Sequence, residues 1–349
     1  MANPKVFHLT NPTPENLKKL WEQSGLAACF HPADFIALKI HFGEPGNTSY
    51  LKPHHVWPIV EALKTKCQNY FLTDANTIYL GKRADAVNHL RTAFAHGYDF
   101  APVVIADGLL GHDFEKLKVD FPHFKEVKIG AAIAQANSIL TVTHFKGHDV
   151  CVFGGALKNL GMGSGCRAAK QQMHSDMKPV VKTDQCTGCA ECEKWCPTEA
   201  AKMQPATNKS YISPEKCIGC GECVAACRFG AIAINWAGSP ESVQEKFVEH
   251  AGALIKQKPG KIGYINYLLE ISPSCDCYGH SDAPIVPDLG VVASTDPVAI
   301  DQACYDLVNK AAGKNIFKTL YPEVNGEVQL AHAEKLGLGS RMYELVEII

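Results

Sequence analysis

Eight cysteines in the middle of the chain have the types and spacing of iron–sulfur ligands. They form two copies of the pattern C-x-x-C-x-x-C-x-x-x-C, which also share a glycine and a glutamate. Three closely spaced thiolates suit one cubane, whereas the fourth cannot close on that cluster and so ligates the cluster of the other copy. We therefore predict two 4Fe–4S clusters. The first would be held by Cys186, Cys189, Cys192 and Cys227, and the second by Cys217, Cys220, Cys223 and Cys196.

Zinc is the alternative metal for these cysteines. Structural zinc sites use four ligands, usually as two separated C-x-x-C pairs. Two runs of three cysteines, the first completed by Cys196 and followed by Pro197, fit zinc badly. The segment resembles a bacterial two-cluster ferredoxin over about 50 residues. We therefore expect clusters that carry single electrons.

Polar side chains also follow four predicted strands, at the points where those strands end. Ligands of open α/β sheets bind beyond the carboxyl ends of the strands, so these side chains predict a pocket. The simpler alternative is that turns such as Asp107-Gly108 are polar anyway. The candidate catalytic residues are His41, His144, Lys146 and His148, with the histidines as proton donors. The candidate cofactor-binding residues are Glu44, Asp74, Asn76, Asp107, Lys158 and Asn159, with Lys146 or Lys158 holding an anionic group.

Cys275-Asp276-Cys277 is a separate cysteine motif. In an extended segment residues i and i+2 face the same side, so Cys275 and Cys277 could chelate one additional metal. His280, Asp282 or Cys166 would complete that site. The alternative is two small buried side chains.

A glycine-rich stretch at 154–165 does not match a nucleotide-binding loop. It lacks the Gly-Lys-Ser/Thr ending of a P-loop, and its formal dinucleotide fingerprint lacks a strand–helix–strand context. We expect a loop that brings backbone amides near an anion, a flexible lid, or close packing against the neighbouring module.

Alternating strands and helices must position these residues. The predicted strands are 35–40, 70–73, 102–106, 139–143 and 290–294. The predicted helices are 14–26, 56–66, 84–96, 239–257 and 297–312, with Asp301 exposed on the last one. This alternation predicts an α/β fold with a mostly parallel sheet covered on both faces.

The cysteine-rich module interrupts this pattern. We predict a host domain whose first part is 1–179 and whose second part is 237–349, with the two-cluster ferredoxin-like module at 180–236. Three serial domains are the alternative. The interruption is favoured because 237–349 has few strands for an independent α/β unit.

Composition excludes several classes of protein. The chain has 349 residues, 46% hydrophobic and 20% charged, which is typical of a folded globular protein rather than a disordered one. A net charge of −2 gives no general attraction to nucleic acid, and no apolar run approaches the roughly 18 residues of a membrane span. Fifteen cysteines without an export signal predict metal or redox chemistry in the cytoplasm.

Five segments together resemble one family. They are His41-Phe-Gly-Glu44, Thr73-Asp74-Ala-Asn76-Thr77-Ile-Tyr79, Lys146-Gly147-His148, Gly154-Gly-Ala-Leu-Lys158-Asn159 and Cys275-Asp276-Cys277. The family is the domain of unknown function numbered three hundred and sixty-two, often labelled iron–sulfur centre proteins. The resemblance covers nearly the whole chain. It implies that the host domain and the module work together, without naming a reaction.

The leading hypothesis is an iron–sulfur oxidoreductase. Its clusters would relay electrons between a redox partner, either a protein or a small-molecule donor or acceptor, and a site in the host domain. A flavin or deazaflavin would be needed there if the substrate carries a hydride. The alternatives are a non-catalytic electron carrier or adaptor, and a metal- or cluster-handling protein that uses Cys275 and Cys277.

Overall fold

Parallel strands form the centre of the molecule. The computed structural model describes residues 3–79, 81–174, 178–233 and 239–348. Within these ranges eight strands share one sheet. In spatial order they are β16 (Glu344–Glu347), β1 (Lys5–Leu9), β15 (Gly290–Ser294), β14 (Ile262–Leu268), β7 (Ser138–His144), β2 (Ile36–Lys39), β3 (Tyr70–Asp74) and β4 (Val103–Ile105). Since only β15 of this described set runs antiparallel to its neighbours, the expected mostly parallel α/β sheet is confirmed.

Helices cover both faces of this sheet. They are α1 (Pro14–Gln23), α2 (Pro53–Lys64), α3 (Ala86–Ala95), α4 (Ala131–Gln135), α5 (Ala156–Ser164), α6 (Arg167–His174), α7 (Glu191–Lys194), α8 (Glu222–Ala226), α9 (Pro240–Gln257), α10 (Pro297–Ala311), α11 (Ile316–Leu320) and α12 (Val328–Lys335). Helices α1 and α2 contribute Leu20 and Ile59 to one apolar core. Helices α5, α9 and α10 contribute Leu157, Phe247 and Ile300 to the other. The central strands are therefore buried on both sides, as their continuous apolar character requires.

The remaining strands form four small antiparallel pairs. They are β5 (Phe114–Lys118) with β6 (Glu126–Gly130), β8 (Lys146–His148) with β9 (Val152–Gly154), β10 (Val180–Val181) with β13 (Ile232–Ala233), and β11 (Ala201–Gln204) with β12 (Lys209–Ile212). The last two pairs, with α7 and α8, form the described part of the cysteine-rich module. Its predicted end at 236 lies outside the described residues. No helix of the described chain is both long and apolar enough to cross a bilayer.

The glycine-rich stretch is a helix, so the expected loop or lid is wrong. It forms α5, and a Cβ added at Gly161 would lie 1.9 Å from the carbonyl oxygen of Phe247 on α9. Glycine is used here because it lets two helix backbones approach directly.

Asp301 is fully buried, which contradicts the expectation that it is exposed. Its carboxylate accepts hydrogen bonds from the backbone N–H groups of Ala156 (2.7 Å) and Leu157 (2.9 Å) and from Asn266 Nδ2 (2.8 Å). Asp301 lies on the side of α10 that faces β14, where it caps the N-terminus of α5 although the two helices are far apart in the sequence. The first N–H groups of α5 are consequently satisfied and are not free to bind an anion.

Candidate functional site

A cavity of about 560 Å³, named here the host cavity, opens at the carboxyl ends of β2, β3 and β7. This is the place where open α/β sheets bind ligands. The predicted residues that line it are His41, Asp74, His144, Lys146, His148, Lys158, Asn159, Cys275 and Cys277. Three further predicted residues, Glu44, Asn76 and Asp107, are described but lie outside its wall. The strand ends thus bring most of the predicted site together.

Asp74 is the centre of one buried ion-pair group. Lys39 Nζ lies 2.9 Å from Asp74 Oδ1 and also donates to Asn159 Oδ1 at 2.8 Å. Burial alone would raise the pKa of Asp74, but the nearby cations, Lys39 foremost, outweigh it and hold the pKa well below its usual range. Burial lowers the pKa of Lys39 to about 8, against the opposing effect of Asp74. Lys39 and Asp74 therefore form a fixed charged pair in the cavity wall.

Asp276 is the centre of a second buried group. His144 Nδ1 and Lys146 Nζ each lie 2.9 Å from Asp276 Oδ2. The other nitrogen of His144, Nε2, lies 2.8 Å from the carbonyl oxygen of Leu269. Burial alone would raise the pKa of Asp276. The charges of His144 and Lys146 outweigh this effect, so the net pKa lies well below its usual range. His144 and Lys146 thus hold Asp276 and its loop in place.

Two side chains remain available to a ligand. His41 Nδ1 accepts a hydrogen bond from the Gly43 N–H (3.1 Å), so a neutral ring carries its proton on Nε2. Burial lowers the pKa of His41 well below its usual range, which favours that neutral form. Lys158 makes no hydrogen bond or ion pair with any residue of the described ranges. The cavity therefore offers one free N–H donor and one free cation.

The wall of the host cavity carries an excess of positive charge. Its ionisable Lys, Arg and Asp residues are Lys39, Arg83, Lys146, Lys158 and Lys170 against Asp74 and Asp149. Lys170 Nζ is bonded to backbone carbonyl groups, with the Gly165 oxygen at 2.6 Å. A cleft lined by one sign of charge concentrates ligands of the opposite sign. Asp276 and Glu44, which lie behind the wall, pair with Lys146 and Arg83, so among the described residues Lys158 and Lys170 are the cations of the wall without a carboxylate partner.

The three predicted residues outside the wall brace the loop that follows β3. Asp107 Oδ1 accepts hydrogen bonds from the backbone N–H and from Nδ2 of Asn76, both at 2.9 Å. Burial raises the pKa of Asp107 to about 6. Glu44 accepts from Arg83 Nε (2.9 Å) and from the backbone N–H of Lys82 (3.0 Å). These contacts position the loop rather than contact a ligand.

Cys275 and Cys277 lie in a turn, so the expected extended conformation is wrong. The Tyr278 N–H donates to the Cys275 carbonyl at 3.1 Å and bends the chain because it closes a β-turn. Both side chains nevertheless line the host cavity and hydrogen-bond each other. That bond lowers the pKa of Cys275 and raises the pKa of Cys277.

The three residues predicted to complete a metal site with this pair, His280, Asp282 and Cys166, do not line the host cavity. His280 and Asp282 are exposed, and Asp282 is bonded by the Ser274 hydroxyl at 2.6 Å. Cys166 is buried and is not among the residues that line the cavity. Across the described residues, no three His, Cys, Asp or Glu side chains are placed to hold a metal ion.

The eight clustered cysteines line two small cavities in the module. One is lined by Cys186, Cys189, Cys192 and Cys227, and the other by Cys196, Cys217, Cys220 and Cys223. Backbone N–H groups point at the sulfurs, with Ala200 N and Ala201 N at 3.1 and 3.3 Å from Cys196 Sγ. Each cavity therefore combines three cysteines of one copy with the fourth of the other.

The two copies of the motif share their backbone conformation. Gly188 and Gly219 take positive φ angles of 77° and 69° at matching positions. Ala190 and Gly221, which precede α7 and α8, are also left-handed, with φ of 61° and 77°. Glycine is favoured at such positions because it has no Cβ to clash with the backbone.

Arg167 of α6 joins the module to the host cavity. Its Nη1 donates to the Ala225 carbonyl on α8 (2.6 Å), and its Nε donates to the Thr77 carbonyl (2.9 Å). Ile78 both lines the host cavity and packs in the apolar cluster that contains Cys186 and Cys227. The loop after β3 thus lies between the cavity and the clustered cysteines.

Sequence reasoning missed several charged residues of the site. Lys39 interrupts an otherwise apolar predicted strand, and a cation there must be buried with a partner. Arg83 lies in a loop and Lys170 on α6, without a local pattern that marks them. Asp276 lies between two cysteines, and the motif was interpreted as a metal site of those cysteines without a role for the aspartate. Lys39 was therefore the one of these four that the sequence could have revealed.

Comparisons with known proteins give a family and one distant structural likeness. A family model described as a domain of unknown function matches residues 36–306. A structure similar to this chain is that of the lactate racemase apoprotein from Thermoanaerobacterium thermosaccharolyticum, at 11% identity and a TM-score of 0.37. The likeness covers 76% of this chain and 51% of that one, about half its length. Curated proteins give no match.

Proposed function

The chain belongs to the family described as a domain of unknown function (DUF362), and we propose that it is an iron–sulfur oxidoreductase. Two 4Fe–4S clusters would relay electrons between a redox partner and an anionic substrate in the host cavity. One observation carries this proposal: each module cavity is lined by three cysteines of one copy and the fourth of the other. That is the division of ligands expected of a two-cluster ferredoxin.

The donor set fits clusters better than single metal ions. Thiolates are the usual ligands of iron–sulfur clusters, and N–H groups directed at ligand sulfurs, such as those at Cys196, tune cluster potentials. A zinc ion would draw its four ligands to one point. Each module cavity is instead lined by three cysteines of one copy and a fourth from the other, which is the ligand pattern of a two-cluster ferredoxin. When bound, each cluster would take up and release single electrons.

The host cavity supplies the binding site for the substrate. Lys158 would pair with the anionic group of the substrate, because it makes no hydrogen bond or ion pair in the described chain. His41 would donate a hydrogen bond to the substrate from Nε2, since its Nδ1 is held by the Gly43 N–H. Asp276 holds Lys146 at a fixed place in the wall through their ion pair.

A non-catalytic electron carrier would not need this cavity. Buried charged groups cost folding free energy, and such departures from ordinary packing concentrate at functional sites. The ion pairs of Asp74 and Asp276 are both almost fully buried. Their presence favours chemistry in the host domain over the carrier alternative.

The test combines a redox titration with anion binding. Anaerobically purified protein is titrated by electron paramagnetic resonance, and we expect signals from two reducible clusters. Calorimetry then measures binding of a panel of small carboxylates, sulfonates and phosphates. The double variant His41→Gln/Lys158→Gln should keep the cluster signals and lose the anion binding. Binding that is absent from the natural protein, or equal in the variant, would favour the carrier.

A further inference from the structure

We propose that Cys275 and Cys277 form a dithiol–disulfide couple that reduces a small anionic disulfide bound in the host cavity. The regeneration of this couple rests on the proposed function, because its electrons come from the module. The exchange reaction itself belongs to the two cysteines and can be measured separately.

The geometry brings the two sulfurs together. The turn closed by the Tyr278 N–H bends the chain at Asp276, and the two cysteine side chains hydrogen-bond each other. Both line the host cavity, unlike Cys304, which is buried in the core of the host domain. Two thiols that are neighbours in a turn can form a disulfide with little movement of the backbone.

The surroundings suit a reactive thiolate rather than a metal ligand. His148 hydrogen-bonds Cys275, and the positive charge of Lys158 acts on both cysteines. The carboxylate of Asp276 is directed away into its pairs with His144 and Lys146. Positively charged neighbours are typical of cysteines that perform thiol chemistry.

The charge of the cavity selects the substrate. A thiolate with a second thiol beside it performs exchange with disulfides. Lys158 is free to pair with an anionic group on one half of a bound disulfide. A small disulfide that carries carboxylates therefore fits both the thiols and the cation.

The exchange balances in two steps. The Cys275 thiolate attacks one sulfur of the substrate, which forms a mixed disulfide and releases the first thiolate. That thiolate takes the proton of Cys277, whose sulfur attacks Cys275, forms the internal disulfide and releases the second thiolate. Two electrons, delivered singly from the module, and one proton then restore the Cys275 thiolate and the Cys277 thiol.

The test compares an anionic and a neutral disulfide under anaerobic conditions. The probes are dithiobis(nitrobenzoate), which carries two carboxylates, and uncharged dithiodipyridine. We expect rapid release of two thiolates per chain from the anionic probe and an internal disulfide at Cys275 and Cys277 by mass spectrometry. Cys277→Ser should release one thiolate and retain a mixed disulfide, and Cys275→Ser should show no rapid release. Lys158→Gln should slow the anionic probe at least about tenfold and the neutral probe much less.

Cys304→Ala is the matched control, and it should leave both rates unchanged. Release that does not depend on Cys275, or a disulfide that joins other cysteines, would overturn the couple. Equal slowing of both probes by Lys158→Gln would overturn the anionic substrate.

Iron and sulfide counted in the same samples separate the two proposals. If the protein holds about eight irons but shows no thiol–disulfide exchange, the dithiol couple is overturned and the proposed oxidoreductase function is retained. Exchange in freshly purified protein that never held iron overturns the oxidoreductase and the module as the electron source. The last experiment uses iron-loaded protein in which the internal disulfide has been formed and the clusters have then been reduced. The thiols of Cys275 and Cys277 should appear at the same rate as the signal of the reduced clusters decays.

Discussion

Cysteines from different copies of the motif meet in the same cavity of the module. Cys227 of the second copy lies with Cys186, Cys189 and Cys192 of the first, and Cys196 takes the reciprocal place. The crossing means that neither copy completes a cavity alone. It also means that pairs of substitutions can distinguish crossed ligation from separate ligation.

Two double variants test the crossing at the scale of the residue. Cys189→Ser/Cys227→Ser removes two residues from one cavity, so we expect roughly half of the iron to remain. Cys189→Ser/Cys196→Ser removes one residue from each cavity, so we expect nearly all iron to be lost. Iron per chain, measured after anaerobic purification, gives the result. The reverse ranking would show that each copy binds its own cluster.

The residue types of the site were more predictable than their roles. The grouping of the eight cysteines around two cavities was predictable from their spacing alone, because the proposed cluster ligation demands a fixed local pattern. His144 and Lys146 were expected to act on a ligand, yet both are held by Asp276. That role depends on contacts between residues far apart in the chain, which local spacing does not record.

Helix α5 packs on α9 through a glycine, and this contact belongs to the scale of the element. A Cβ at Gly161 would meet the backbone oxygen of Phe247 at 1.9 Å, whereas one at Gly154 in β9 would meet only Lys158 Cδ, at an ordinary contact distance of 3.4 Å. Gly161→Ala should therefore destabilise the fold by about 2 kcal/mol or more, because the helices must separate.

Gly154→Ala is the matched variant and should cost less, since a Cβ at this position meets no atom closer than 3.4 Å. Thermal unfolding followed by circular dichroism compares the two proteins. A loss of stability at Gly154→Ala that equals or exceeds the loss at Gly161→Ala would contradict the packing of α5 on α9.

Asp301 links α10 to α5 and should make stability depend on pH. Burial outweighs its hydrogen bonds and raises its pKa to about 6, above the unfolded value of about 4. The stabilising contribution of the neutral form is therefore complete below pH 4 and is lost as pH rises through 6. The difference between the folded and unfolded pKa values corresponds to roughly 3 kcal/mol in the free energy of unfolding.

Asp301→Asn removes this titration because the amide stays neutral. Between pH 5 and pH 7.5 the Tm of the natural protein should fall relative to that of the variant. Parallel Tm curves for the two proteins would contradict the raised pKa.

Elements with clear caps and long apolar patterns were the most predictable. Strand β15 has the predicted bounds, and Asp296 caps α10, with its Oδ1 accepting from Val298 and Ala299. Strands β1, β14 and β16 were not predicted. The run at Ile262–Leu268 is apolar apart from Asn266 and the glycine, and a short run of this kind does not distinguish a buried strand from a buried helix segment.

Contacts between the host domain and the module belong to the scale of the whole molecule. Lys128 pairs with Glu222, and Arg167 bonds the carbonyl groups of Thr77 and Ala225. Strands from both sides of the module share the central sheet, and the module rests against the loop that lines the host cavity. The proposed delivery of electrons to the cavity would require a fixed joint of this kind.

Arg167→Met should loosen this joint without removing iron. Methionine keeps the apolar stem of the side chain but leaves the carbonyl groups of Thr77, Ile78 and Ala225 without their donor. Hydrogen exchange in α8 should therefore become faster while iron per chain stays constant. Lys194→Met, at an exposed position on α7, is the control. Unchanged exchange in α8 would show that Arg167 does not hold the module.

The position of the host cavity could be predicted, but its charge could not. Alternating strands and helices imply a parallel sheet with a binding edge, and the predicted strand-end residues do gather there. The net positive wall arises from Lys39, Lys158 and Lys170 on three different elements. The sequence as a whole is slightly acidic, so its overall charge gives no indication of this local excess.

The central claim is that the module delivers electrons from two clusters, and one measurement tests it most directly. Iron, acid-labile sulfide and zinc are counted per chain in protein purified without oxygen. We expect about eight irons and about eight sulfides per chain, with no stoichiometric zinc. One or two zinc ions per chain with no sulfide would contradict the account.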